Sequence, residues 1–401
     1  MGIGNIATTG MQAAMTNMEV ISNNIANSNT FGYKGSYANF ADMYPSGSNA
    51  SSVQAGLGVS VSGIQQDFSP GGPTPTGIAS DLTITNDGFF VLKDASSGQT
   101  SYSRFGRFNF NQGYFMVGNQ RLQGFPAVNN TIPPGSTPTD LYINTASIPA
   151  QATGTITQQQ LNLNASDSVP STTPFDPDDP TSFNFSSTAT IYDSLGSSNT
   201  LNLYYVKTAA NEWTVNAYVN GTSVGTGSLT FSSDGTLSSA TGLSNLSFSP
   251  TSGATSPQVF SVSMTGATQY ANPYTANPFS SDGYAAGNFT GYTIDKNGKV
   301  TVNYSNNQTT VAGQIALAMF QSPQGLQNVG NMSWIATSDS GEPNVNQANS
   351  QNGIQQAALE MSNVDLASEM VSLITAQNIF QANAQVEQVY NQVMQTVTKL
   401  A

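Results

Sequence analysis

The residues whose types could do chemistry are few. Gly221-Thr222-Ser223-Val224-Gly225 fits the G-x-S-x-G pattern of a nucleophile elbow, in which a serine on a strand-to-helix turn is activated by a histidine. The chain has no histidine and no cysteine, so the commonest general base, the usual zinc ligand, thiolate sites and disulfides are all absent. No helical pattern follows Gly225, and the segment reads as a β-turn. Asp295-Lys296-Asn297-Gly298 resembles the start of a calcium loop, but its glycine comes too early and no glutamate closes the span, so it reads as a hairpin turn. Asp176, Asp178 and Asp179 sit among prolines and have the chemistry to hold a hard cation or act as a glycosidase pair, although adjacent loop acids are usually just solvated. No phosphate-cradling glycine loop follows a strand and opens a helix. The expectation is therefore no catalytic residue, no cofactor and no metal.

Composition points the same way. Of 401 residues 38% are hydrophobic, enough for real cores, but only 8% are charged, and Ser, Thr, Asn, Gln and Gly fill the gap. The 22 acids and nine bases give a net charge of -13, and the bases never cluster, which argues against nucleic acid. The first basic residue is Lys34, so no positively charged stretch precedes an apolar run as in a signal peptide, and no run is long enough to span a membrane.

The elements that would position any site divide into ends and middle. All 19 prolines lie between Pro45 and Pro343, leaving the first 44 and last 58 residues free of the strongest helix breaker. Met11, Ala14, Met18, Ile21 and Ile25 recur at steps of three and four and predict one helical stripe, ending at Asn27-Ser28-Asn29-Thr30. Val364, Ala367, Val371 and Ile374 predict a second stripe, and Val386, Tyr390, Val393, Val397 and Leu400 a third, rotated by about a third of a turn from the second. A helix from about Ile354 to Leu400 would run about 70 Å and carry apolar surface with no partner inside the chain.

The middle reads as antiparallel β. Leu82 and Ile84 lead into Asn86-Asp87-Gly88, a hairpin signal, followed by Phe89 to Leu92. Trp213, Val215, Ala217 and Val219 alternate before Asn220-Gly221, and Ile315 to Phe320 reads as a buried strand. Composition sets the boundaries. They are an N-terminal axial helix (1–30), a loop-rich connector (31–80), a core β domain in two parts (81–145 and 285–345), an inserted outer β domain (150–284) and a C-terminal axial helix (354–401). The predicted fold is thus a mostly β body of two antiparallel β domains, one inserted in the other, with long helical ends forming a coiled-coil-like axial domain.

The run Asn23-Asn24-Ile25-Ala26-Asn27-Ser28-Asn29-Thr30-Phe31-Gly32-Tyr33-Lys34 resembles the signature of the bacterial flagellar rod and hook proteins. Asp81 to Gly124, with Tyr102-Ser103-Arg104-Phe105-Gly106, is similar to the core β domain of that family, and Val364 to Leu400, with Glu369-Met370-Val371 and Phe380-Gln381-Ala382-Asn383-Ala384, to its C-terminal helix. Asn23, Asn24, Ala26, Asn27, Gly32, Tyr33 and Lys34 are the positions that carry the signature. Tyr192-Asp193-Ser194-Leu195-Gly196 and the Trp213 strand resemble the outer domain of hook proteins, a domain the shorter distal rod proteins lack.

The resemblance implies a structural, non-enzymatic subunit that polymerises into the flexible hook linking rod to filament. Its implied partners are further copies of itself, the distal rod, hook cap and hook–filament junction proteins and the type III export apparatus, with no nucleic acid and no membrane insertion. It implies export to the flagellum without a cleaved signal peptide. In the free subunit the terminal helices are expected to be largely disordered, because their stripes lack partners. Two other readings are a distal rod subunit and a secreted β-rich adhesin or glycan-binding protein with Trp213 and Tyr205 exposed as a platform.

Overall fold

The computed structural model describes residues 3–43, 56–349 and 352–400, without the side chains of Ile3, Gly4 and Leu400. It shows a mostly β body with one helix at each end, α1 (Ile3–Ala26) and α2 (Leu366–Leu400). The chain divides into two compact units. The first comprises Met1–Thr145, Gly291–Val302 and Thr309–Ala401, and the second Ala146–Thr290 and Asn303–Gln308.

The second unit is built on a five-stranded antiparallel meander. Its strands are Phe185–Tyr192, Ser198–Ala209, Glu212–Val219, Thr222–Phe231 and Leu237–Thr241, paired in that order. Strict alternation puts Leu201, Leu203, Tyr205, Trp213, Val215 and Ala217 on one face, all fully buried. Trp213 donates from Nε1 to Gln269 Oε1 at 2.7 Å, which satisfies its polar end. The expected aromatic platform is thus corrected: Trp213 and Tyr205 are 0% exposed, because the period of two turns both toward the core. The expectation of purely antiparallel pairing is corrected too. Thr155–Thr157 runs parallel to Ser261–Ser263, and Asn162–Asn164 to Thr268–Tyr270, pairings that long returns through the meander permit and tight hairpins would not.

In the first unit, Phe89–Asp94 pairs with Thr100–Ser103, Gln120–Pro126 and Thr309–Met319, and Ile315, Ala316, Leu317 and Ala318 are buried in it. Phe89, Val91, Tyr102 and Trp334 form its core with Phe68 and Phe320 packed edge-on. Leu82–Ile84 does not form the expected hairpin with Phe89. It pairs instead with Ile354–Gln356, which buries all three of its residues, while both edges of Phe89–Asp94 are taken, by Thr100–Ser103 on one side and by Gln120–Pro126 and Thr309–Met319 on the other.

That pairing also corrects the start of the C-terminal helix. Ile354–Gln356 and Ala358–Glu360 are strands, the second paired with Pro73–Pro75, and Ala357 between them has φ 59°. Asp365 then caps α2, its Oδ1 accepting from Ser368 N at 2.7 Å, so helix begins at Leu366 rather than Ile354. Its 35 residues span about 52 Å, not about 70 Å. The expected connector over 31–80 also contains structure: Ser36–Met43 and Gly58–Gln66 pair as antiparallel strands that pack on α1. Ser223 sits on an exposed strand position directly after the Asn220-Gly221 turn, with no helix beyond. Asp295 caps the tight turn before Lys299, its Oδ1 accepting from Asn297 N and Lys299 N.

Candidate functional site

The signature run folds as the C-terminal turn of α1 and the bend after it. Asn27 Nδ2 donates to Asn23 O at 3.0 Å and Ser28 Oγ donates to Ile25 O at 2.9 Å, so polar side chains close the helix while Ala26, its last residue, stays exposed. Gly32 sits at φ 70°, and a Cβ there would lie 2.9 Å from Phe105 N; only glycine allows this approach. Tyr33 Oη donates to the Oδ1 atoms of Asn23 and Asn24 at 3.1 and 3.2 Å. Burial first, and then the Glu369 charge, push its phenol up.

Asn24, 2% exposed, works as a bracket. Its Nδ2 donates to Ser36 O at 2.7 Å and to Glu369 Oε1 at 3.0 Å, and its Oδ1 accepts from Ser36 N. One side chain thus ties α1 to the next strand and to α2. Lys34 does the same for the strands before α2, donating from Nζ to Glu360 Oε1 at 2.7 Å and Ser69 O at 2.5 Å. Burial and then Arg104 hold the Lys34 ammonium below its ordinary range, with Glu360 opposing. Asn363 adds a further tie, its Oδ1 accepting from Gly35 N at 2.8 Å. Glu360 and Asn363 lie more than three hundred residues from the signature and carry no signal in the sequence, whereas Arg104 stands in the Tyr102 to Gly106 motif.

The helices run antiparallel, with Asn24 against Glu369 and Gly10 against Asn383. Gly10 allows a close approach there, since a Cβ would lie 2.8 Å from the Asn383 amide and would push that side chain aside. On α1 the residues turned inward are Ala7, Ala13, Ala14, Val20, Ile21 and Asn24, while Met11, Met18 and Ile25 are only half-buried. On α2 they are Glu369, Leu373, Ala376, Phe380, Asn383, Glu387 and Tyr390, spaced alternately by four and three. The seam therefore mixes small and polar residues with a few larger apolar ones, and on α2 only Ala376 among the described residues is fully buried.

The expected α2 stripes lie elsewhere. Val364 precedes the helix, a correction that follows from the Asp365 cap, and Ala367 is exposed. Val371, Ile374, Val386, Val393 and Val397 are 65%, 55%, 45%, 53% and 54% exposed. Only Tyr390 shares the α1 seam, and the Leu400 side chain lies outside the described residues. Ala382, Val386, Val389 and Val393 line one open apolar surface with Tyr390.

Asp176 and Asp179 are turn formers, accepting from Asp178 N and from Thr181 N and Oγ1 respectively. Among the described residues no group of three acids converges on a metal-sized space, and no helix is long and apolar enough to cross a membrane.

Three sequence profiles match the chain. Residues 5–34 match the flagella basal body rod protein, 161–284 the flagellar basal body protein FlaE D2 domain, and 355–400 the flagellar basal body rod FlgEFG protein C-terminal region. The flagellar hook protein FlgE of Salmonella typhimurium is 40% identical over 409 residues, covering 98% of each chain. That of Escherichia coli K12 is 39% identical over 407 residues with the same coverage. The crystal structure of Helicobacter pylori flagellar hook protein FlgE2 superposes with a TM-score of 0.54 at 12% identity, over 72% of this chain and 99% of that one, and so speaks to the fold alone. With profile matches at both ends and in the middle, and such identity along nearly its whole length, this chain belongs to the flagellar hook protein FlgE family.

Proposed function

We propose that the chain is a structural subunit that polymerises into the flagellar hook, the curved flexible tube that passes torque from rod to filament. It acts mechanically, and no reaction is assigned to it. The observation that carries the reading is the apolar surface of α2. Val371, Ile374, Val389, Val393 and Val397 are not among the inward residues and are each half or more exposed. Apolar surface of that extent is driven out of water by roughly 25 cal/mol per Å² once copies meet.

In this reading the four-three spacing of the inward α2 residues makes the helix pair a coiled-coil-like axial domain. The two compact units are a core β domain and an outer β domain inserted in it. Outer domains slide as the tube bends, and a surface with few charges exchanges weak polar contacts at less cost than desolvated ion pairs. The chain reaches the flagellum unfolded through the type III export apparatus without a cleaved signal peptide, and meets the distal rod, hook cap and hook–filament junction proteins there.

Electron microscopy of polymers formed by the full chain and by a chain ending at Tyr390 tests the proposal. The shorter chain keeps the whole α1 seam but loses Val393 and Val397. Curved tubes are expected from the full chain only. Tubes of equal yield from the shorter chain would overturn the role given to α2, and straight rigid tubes from the full chain would overturn the hook.

A further inference from the structure

The chain holds 16 tyrosines and no cysteine or histidine, and both tryptophans are buried, Trp213 at 0% and Trp334 at 1% exposure. Phenols are therefore its readiest accessible donors of single electrons. Among the described residues Tyr37, Tyr142 and Tyr270 stand exposed, and of these only Tyr142 packs on a second tyrosine ring.

Tyr114 and Tyr142 face each other on an antiparallel bridge, with Ile143 N donating to Gly113 O at 2.8 Å beside them. That bond flanks the pair rather than joining it, so the two belong to the non-hydrogen-bonded class, in which facing side chains come closest. Their ring centres are 5.0 Å apart and the planes 48° from parallel. Two further contacts hold the rings. A Cβ on Gly113 would lie 2.6 Å from Tyr142 Cε2, so the missing side chain lets this ring lie down on the backbone. Arg121 Cζ stands 4.3 Å from the centre of the Tyr114 ring, and Arg121 Nη1 donates to Oδ2 of Asp140, close before Tyr142 in the chain, at 2.8 Å. The other tyrosine pair, Tyr204 and Tyr218 in the second unit, lies at 5.7 Å and 88°, with Phe175 packed on both.

We propose that Tyr114 and Tyr142 are a site of oxidative modification, joined by a one-electron oxidant of the haem-peroxidase class into a dityrosine within the chain. Each phenol gives up one electron and its hydroxyl proton. The two phenoxyl radicals form one bond between ring carbons ortho to the oxygens, and the hydrogens on those carbons move to the oxygens and restore two phenols. The net loss of two electrons and two protons reduces one hydrogen peroxide to two waters. The link ties the strand Tyr114–Val117 to the segment after Thr139–Asp140 and restricts the unfolded chain as a disulfide would. It rests on nothing in the hook reading.

Dilute full-length subunit is treated with hydrogen peroxide and a haem peroxidase, and dityrosine is read by its fluorescence and by mass spectrometry of linked peptides. The expected product is a monomer with one link between the Tyr114 and Tyr142 peptides and a higher denaturant midpoint than the chain treated with peroxide alone. Tyr142→Phe and Tyr114→Phe keep the packed rings but each should lose the link, whereas Tyr204→Phe should keep it. Peroxide alone oxidises exposed methionines such as Met15 by two-electron steps and should give no link. Links chiefly between Tyr37 or Tyr270 of two copies, a yield unchanged by Tyr142→Phe, or Tyr204 joined to Tyr218 as the main product would overturn the site. A linked monomer with a lowered midpoint would show that the bond distorts the native pair, and would overturn it equally.

Discussion

The meander of the second unit and the helix pair of the first spend their apolar residues in opposite directions. In the meander Trp213, Leu201, Leu203 and Val215 are fully buried, and the polar end of Trp213 is satisfied by Gln269. Along α2 the order is reversed, with Ala376, Asn383 and Glu369 facing inward while Val371, Ile374 and Val393 stand exposed. The first arrangement holds itself together and the second keeps its cohesion for something outside the chain. Large, fully buried side chains make an autonomous domain, whereas a seam in which only Ala376 of α2 is fully buried among the described residues makes an interface that is cheap to open.

The largest contrast is expected in amide hydrogen exchange on the free subunit. Exchange across residues 3–26 and 366–399 should outpace that of the meander strands by orders of magnitude, because a seam that buries few large side chains fully gives low local stability. Strong protection of both helices would remove the contrast. Next comes Trp213→Ala, which empties a fully buried site and strands Gln269, and should destabilise the second unit by about 3–5 kcal/mol in denaturant unfolding. Glu360→Gln should cost about 3 kcal/mol in the first unit, since Lys34 and Arg104 then share no counter-charge. An unchanged midpoint would mean that the signature lysine is not held by its buried partner.

Alkaline unfolding sharpens the comparison further. Burial pushes the Tyr205 phenol of the second unit up, and burial with the Asp81 charge pushes Tyr292 of the first up to about 12. A phenol that keeps its proton longer when folded favours the unfolded chain once the pH passes its ordinary value of about 10, so stability falls from there upward. Tyr205→Phe should flatten that fall in the second unit more than Tyr292→Phe does in the first, Tyr205 being fully buried. A calorimetric series from pH 8 to 11 reads it. The smallest change is expected for Val393→Asp: within about 0.5 kcal/mol in the free subunit, where the residue is 53% exposed, yet no polymer. A destabilised monomer would show that Val393 has a partner inside the chain.

Much of this was legible in advance because local physics wrote it. A period of two in Trp213 to Val219 and in Leu201 to Tyr205 makes a strand with one dry face wherever it packs. The proline-free ends make helices, and Asn23 to Lys34 reads as a helix stop with a glycine turn. What could not be read was pairing across the chain. Ile354 to Glu360 has the composition of a helix, and it becomes strand because Leu82–Ile84 and Pro73–Pro75 offer it hydrogen bonds that no sequence window contains.

The same division holds at the site. Residue types alone determined that there is no imidazole or thiol for catalysis, that both ends are helical, and that α2 carries more apolar surface than one neighbour covers. Tertiary structure decided which stripe meets α1, that Asn24 reaches Glu369 and Lys34 reaches Glu360 across more than three hundred residues, and that Arg104 is buried with two donors unmet. Helical periodicity is a property of a dozen neighbouring residues, but the choice among several apolar faces and the pairing of distant charges depend on what the rest of the chain brings alongside.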